Sequence, residues 1–252
     1  MIFSVALEQG TNKWYGRFIE LPGTIARAPT NQVLLEELKA ELEYHLNWLQ
    51  THDEETPFFD KVCIVVAEEV HNIRELGESG GEVAFFESDN KVITQKEMNY
   101  LVRLMGYNRK DLLELVNSMS PEQLMYNPPG KSRTVTDILH HVCNAEEFYT
   151  SRLGEGADHL YEDNAGMQPQ EIDELPIFER LRIVRKACIK TLEALIPQKR
   201  DTIFTRSEYT NYPQEKWSAY KVMRRFLEHE REHYYNILEY MQQPIRRHKF
   251  RW

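Results

Sequence analysis

Apolar residues recur along this chain with two different periods, and the change from one to the other divides it. Residues 2–8 and 13–21 are strand-like runs on either side of Gly10-Thr11-Asn12, a turn-rich break that predicts a hairpin. Leu21-Pro22-Gly23 is expected to end the second strand. Val33, Leu34, Leu38, Leu42, Leu46 and Leu49 then follow helical spacing, and Lys61 to Ala67 is short, apolar and β-branched, the signature of a third strand. Glu75 to Gly81 has the composition of a linker or turn.

From Thr94 onward the period is that of four long amphipathic helices. Thr94 with Glu97 has the form of a capping box before an apolar face of Met98, Leu101, Met105, Leu112 and Leu115. Thr134 with Asp137 opens a second helix whose stripe is Ile138, His141, Val142, Ala145, Phe148 and Tyr149. Pro176 suits a first helical position, before a stripe of Phe178, Leu181, Val184, Cys188, Leu192 and Leu195. Ser218 caps the last helix, which carries Val222, Phe226, His229, His233, Ile237 and Tyr240 on one face and stops by Pro244. The expected fold is α+β in two domains. A small hairpin–helix–strand unit covers residues 1–88, and an antiparallel four-helix bundle covers residues 89–252. The connection from Gly154 to Leu175 reads as a long acidic loop.

Composition narrows the function classes. The chain has 252 residues, 41% hydrophobic and 28% charged, enough apolar material for a substantial core. Its formal charge of −9 argues against attraction to nucleic acid or anionic membranes, because phosphate binding relies on clustered cations. No apolar run approaches the ~18 residues of a membrane span. The start, MIFSVALEQG, lacks the basic and apolar regions of a secretory signal. Cys63, Cys143 and Cys188 are odd in number and form no CxxC, which fits a reduced, cytoplasmic setting. Cys63 and Cys143 read as small packed residues rather than nucleophiles.

The nine histidines change the picture. His229 and His233 are four residues apart and share the inward face of their helix, and His141 falls on the inward stripe of another. Three imidazoles aimed at one bundle core can bind a divalent metal and leave a position for water or substrate, as in a catalytic site. Zinc leads the candidates, with nickel, iron or manganese compatible, since imidazole discriminates weakly among them. Glu146, Glu230 and Glu232 are candidates to orient the ligating rings, and Tyr149 and Trp217 are candidates to wall the pocket. A lone core histidine is usually only a hydrogen-bonded packing residue, so the triad and not the pair carries the reading. His140 points about 100° from His141 and reads as a rim residue.

His229-Glu230-Arg231-Glu232-His233 also satisfies the HExxH pattern of zinc hydrolases. Two charged central positions count against it, as does Glu239, the only carboxylate in the 19 residues after His233. Gly130-Lys131-Ser132 lacks the leading glycine of a P-loop, since Met125 stands there. The basic, aromatic end Arg246 to Trp252 reads as a solvated tail.

The stretch Thr134-Val-Thr-Asp-Ile-Leu-His-His141-Val-Cys-Asn-Ala-Glu146 resembles the second helix of the DinB/YfiT-like four-helix-bundle family. Lys216-Trp-Ser-Ala-Tyr-Lys-Val-Met-Arg-Arg-Phe-Leu-Glu-His229-Glu-Arg-Glu-His233 resembles its last helix. The resemblance covers roughly residues 94–243. It implies a metal-binding bundle with His141, His229 and His233 as ligands, and thiol-dependent transferases and isomerases among its relatives. The expected partner is a small molecule such as a low-molecular-weight thiol, and the resemblance implies a homodimer. A non-catalytic binding or stress-related protein with a vestigial site is the alternative. Residues 14–23, Trp-Tyr-Gly-Arg-Phe-Ile-Glu-Leu-Pro-Gly, with the helix after them, are similar to HicB-like small α+β domains. There Ala28-Pro29 replaces the glycine expected before the helix.

Overall fold

In the computed structural model, residues 1–56, 62–73, 76 and 84–242 are described. Strands β1 (Ile2–Gln9) and β2 (Trp14–Phe18) form the expected hairpin, closed by the Gly10 amide donating to the Lys13 carbonyl at 2.9 Å. Pro22-Gly23 does not leave the sheet. Gly23 sits at φ +87°, a conformation that favours glycine, and the chain doubles back into β3 (Ile25–Ala28), antiparallel to β2. Four residues ending before a proline give almost no periodic signal, so this strand was absent from the expectation. Helix α1 (Asn31–Thr51) follows, its start capped by the Thr30 hydroxyl accepting from the Val33 amide. Strand β4 (Cys63–Val70) pairs parallel to β1 and completes the order β3-β2-β1-β4. Being an edge strand, β4 leaves Cys63 exposed, against the expectation of a packed thiol. Lys61 and most of the Glu75–Gly81 stretch lie outside the described residues.

The second half is helical. After a 3₁₀ turn at Glu87–Asn90 come α2 (Gln95–Asn117), the short α3 (Pro121–Leu124), α4 (Val135–Ser151), α5 (Gly156–Ala165), α6 (Pro169–Asp173), α7 (Ile177–Lys199) and α8 (Ala219–Tyr240). The capping boxes form as expected. The Thr94 hydroxyl accepts from the Glu97 amide while the Glu97 carboxylate accepts from the Thr94 amide, and Thr134 and Asp137 repeat the pattern. Ser218 accepts from the Lys221 amide at 3.0 Å. Pro176 is the residue before α7 rather than its first residue. The supposed loop 154–175 is largely α5 and α6, which Ala157, Tyr161 and Ile172 pin to the body. Three buried anchors in an acidic, glycine-bounded stretch are too sparse to read as helices. Val33 and Phe178 lie exposed at the starts of their helices, where no neighbour covers an inward-spaced position. Pro244 and the basic tail lie outside the described residues.

Helix α4 packs against α7 and α8, and α2 packs against α8. One continuous apolar cluster joins Phe3 and Val5 of β1, Leu38 and Trp48 of α1, and Leu104, Val142, Leu181 and Phe226 of the long helices α2, α4, α7 and α8. Among the described residues no helix is long and apolar enough to cross a membrane.

Candidate metal centre

The capping box at Thr134 starts α4 so that His141 turns inward toward α8. There His229 and His233, one helical turn apart, face it. The Nε2 atom of His229 lies 3.1 Å from Nε2 of His141 and 3.1 Å from Nε2 of His233, and the three nitrogens all lie within 4.8 Å of one another. His229 and His233 are buried, and His141 keeps partial exposure. Burial and the neighbouring Arg133 hold His141 down at about 4. Burial, with His141 and nearby arginines, holds His233 at about 3 and His229 well below the ordinary imidazole range. All three rings are therefore neutral near pH 7.

Neutral rings cannot satisfy this geometry by themselves. The His229 Nε2 is either a donor or an acceptor, yet it faces two like atoms at hydrogen-bond distance. A cation accepts all three lone pairs at once. Zinc–imidazole bonds of about 2.0–2.1 Å at a tetrahedral angle place ligand nitrogens about 3.3 Å apart, close to the two short separations here. The donor set fits a divalent ion, with one coordination position left over: among the described residues no carboxylate, thiol or fourth imidazole joins the cluster.

The carboxylates expected beside the rings are engaged elsewhere. Glu146 and Glu230 are buried and share two guanidinium groups. Arg109 donates to Glu146 and, at 2.6 Å, to Glu230; Arg185 donates to Glu146 at 2.5 Å and to Glu230 at 2.8 Å. Arg109 also reaches the Leu181 carbonyl and Arg185 the Met105 carbonyl, so the network ties α2, α4, α7 and α8 together. Glu232 pairs with Arg27 of β3 at 2.6 Å. Paired this way, Glu230 is not placed as the general base that HExxH chemistry requires, and the hydrolase reading is set aside. What orients His233 instead is Asn236, whose side-chain amide lies 3.4 Å from Nδ1. An asparagine three residues after a histidine on one helix is a signal that the sequence contained and carboxylate-centred reasoning passed over.

Tyr149 and Trp217, expected to wall the pocket, are instead fully buried and line no part of the cavity at His141: the Tyr149 ring packs 5.8 Å from His229, and Trp217 lies behind it, 5.8 Å from Tyr149. Arg225 donates to the Tyr149 hydroxyl at 3.2 Å. The open side belongs to His141, which lines a cavity of about 560 Å³ together with Glu147, Phe148, Tyr161 and Arg180. Burial raises the Glu147 carboxyl, whose oxygens accept from Tyr161 at 2.6 Å and Arg180 at 3.2 Å. His140 turns to the cavity rim, its Nδ1 3.1 Å from Arg180. Cys143 is buried, and desolvation pushes its thiol up to about 12, as suits a packing residue.

No curated protein and no solved structure matches this chain. A family model does: it matches residues 105–237, more than half the chain, spans all three histidines, and leaves the sheet and α1 outside. The chain belongs to the DinB superfamily.

Proposed function

We propose that this protein is a metal-dependent enzyme of the thiol S-transferase or isomerase type, acting on a small molecule at a three-histidine centre. One observation carries the reading: three neutral imidazole nitrogens converge at ligand spacing, and one of the three rings borders a cavity large enough for a substrate. A divalent ion held there, zinc first among candidates, supplies Lewis acidity strong enough to deprotonate a coordinated thiol. The chain's own residues do the rest. His141, His229 and His233 hold the ion without adding charge, so its attraction for an anionic ligand is undiminished. Tyr149, packed on His229 and backed by Trp217, keeps water from the inner side of that ring. Glu147 and Tyr161 offer a hydrogen-bonded carboxyl–phenol pair in the cavity wall, where a proton can be held. The alternative of a vestigial binding protein is favoured by a core closed over the rings, and the cavity beside His141 speaks for the enzyme.

Elemental analysis of the purified protein and of a His229→Ala/His233→Ala double variant tests the centre. One ion per chain in the first and none in the second is expected; equally negligible metal in both overturns the reading. Turnover of a glutathione-like thiol with a chromogenic electrophile, lost on chelation and restored by metal, tests the chemistry.

A further inference from the structure

The cavity beside His141 is one of two that meet there. A second, of about 460 Å³, opens toward the start of α4 and shares His141, Asn144, Asp173 and Arg180 with the first. The two differ in how their charges are used. In the second, Asp137 is committed to its helix start, accepting from the Thr134 amide at 2.8 Å and the Thr134 hydroxyl at 2.7 Å. Asp173 is held by Arg180 at 2.5 Å, and the same guanidinium group also donates to Asn144 at 2.8 Å. That leaves Arg133. It is exposed, lines this cavity with His141, and its guanidinium group makes no hydrogen bond or ion pair with any described residue. The first cavity is the more acidic of the two: Glu147, Asp158 and Glu162 are in its walls, Glu147 and Asp158 already paired with Arg180 and Arg206, and it offers no cation without a carboxylate partner.

We propose that Arg133 is a specificity-determining residue: the second cavity takes a small carboxylate-bearing substrate, its carboxylate forked on the Arg133 guanidinium group and its reacting end toward the histidine centre. A planar guanidinium with free N–H groups matches a carboxylate in two-point geometry, which neither a lysine nor the metal alone reproduces. Among the described residues the only carboxylate that feels Arg133 in this cavity is Asp137, which acts on it at long range while its oxygens stay bonded to Thr134, so the guanidinium N–H groups remain open to a ligand. The assignment rests on the metal-enzyme reading for what the substrate's other end does, and on the cavity's charges alone for how its carboxylate is held.

The test uses the full chain loaded with Co²⁺, titrated with 3-mercaptopropionate and 2-mercaptoethanol and followed by the thiolate-to-cobalt absorption. Arg133→Gln is expected to weaken 3-mercaptopropionate roughly tenfold, in line with loss of one charge-assisted hydrogen bond. It leaves 2-mercaptoethanol within about twofold, and Arg133→Lys recovers part of the loss. Any chelation of the ion by the carboxylate is common to both proteins and cancels in the ratio. Equal effects on the two thiols, or none on either, overturn the proposal. If the protein takes up no cobalt, the metal-enzyme reading fails separately. Carboxylate docking is then decided by calorimetric titration of 3-mercaptopropionate into the protein as isolated: weaker binding in Arg133→Gln supports it, and unchanged or absent binding overturns it.

Discussion

Acidification separates this histidine centre from three ordinary histidines. A ring of ordinary pKa near 6.5 must lose a proton to bind metal at pH 5.0, which costs about 2 kcal/mol at about 1.4 kcal/mol per unit. Three such rings together cost about 6 kcal/mol, or more than four orders of magnitude in affinity. Here burial holds His141 at about 4, His233 at about 3 and His229 well below the ordinary imidazole range, so at pH 5.0 the folded protein has almost no protons to displace. The expected result is a zinc dissociation constant that changes by less than about threefold between pH 7.0 and 5.0. The same shifts act on stability with a definite sign. Because the folded pKa values lie below the unfolded ones, the unfolded chain takes up protons first. The metal-free protein therefore loses stability as pH falls through 6.5 toward 4, by up to about 6 kcal/mol at pH 5.0. That is an upper bound, since His141 keeps partial exposure. Competition titrations with a chromophoric chelator, at pH values where circular dichroism shows an intact fold, read the first effect; urea unfolding of the metal-free protein reads the second. A thousandfold loss of zinc affinity at pH 5.0 in folded protein refutes the neutral-centre argument.

Two further outcomes follow from packing. Glu230→Gln leaves Arg109 and Arg185 sharing a single buried carboxylate, and urea unfolding should show a loss of about 3–5 kcal/mol while the metal content of the folded fraction is unchanged. Gly16→Ala puts a Cβ 2.8 Å from Leu38 Cδ1 and 3.0 Å from Leu7 Cδ2, so this overpacking should lower the unfolding free energy by about 1–3 kcal/mol in the same assay.

The three clustered histidines were legible because each lies on an apolar stripe whose period is set by the helix, and a ring on that stripe must face the core. Their supporting residues were not. Glu146, Glu230 and Glu232 sit beside ligands in sequence, but a carboxylate goes where a guanidinium group waits, and Arg109, Arg185 and Arg27 come from other elements. Single-chain periodicity contains no information on such partners. The four long helices announced themselves through caps and stripes, whereas β3, α5 and α6 are too short or too polar to do so. They are fixed by what they pack against. Even Cys63 follows this rule, since its exposure depends on β4 being an edge strand, a property of sheet order and not of local sequence.

Helix α8 shows how the two halves of the chain serve one centre. Its residues are buried almost throughout, charged ones included, because both sides are covered. On one side lie α2 and α4 with the Arg109–Arg185 network. On the other side the sheet, α1 and the 3₁₀ turn before α2 answer several of its polar groups. Asp89 takes Arg224 at 2.6 Å and Arg17 of β2 at 3.4 Å, Arg27 takes Glu232, and the Glu41 carboxylate of α1 accepts from Tyr235 at 2.6 Å. Arg231 lies over the Trp48 ring at 4.0 Å. A helix this polar, left with one side in water, would expose Arg224, Arg231 and Tyr235 and fray around His229 and His233. The low dielectric that keeps the imidazoles neutral is therefore a product of both layers. The sheet and α1, which contribute no residue to the histidine cluster and fall outside the family match, act on it by burying the helix that carries two of its three rings.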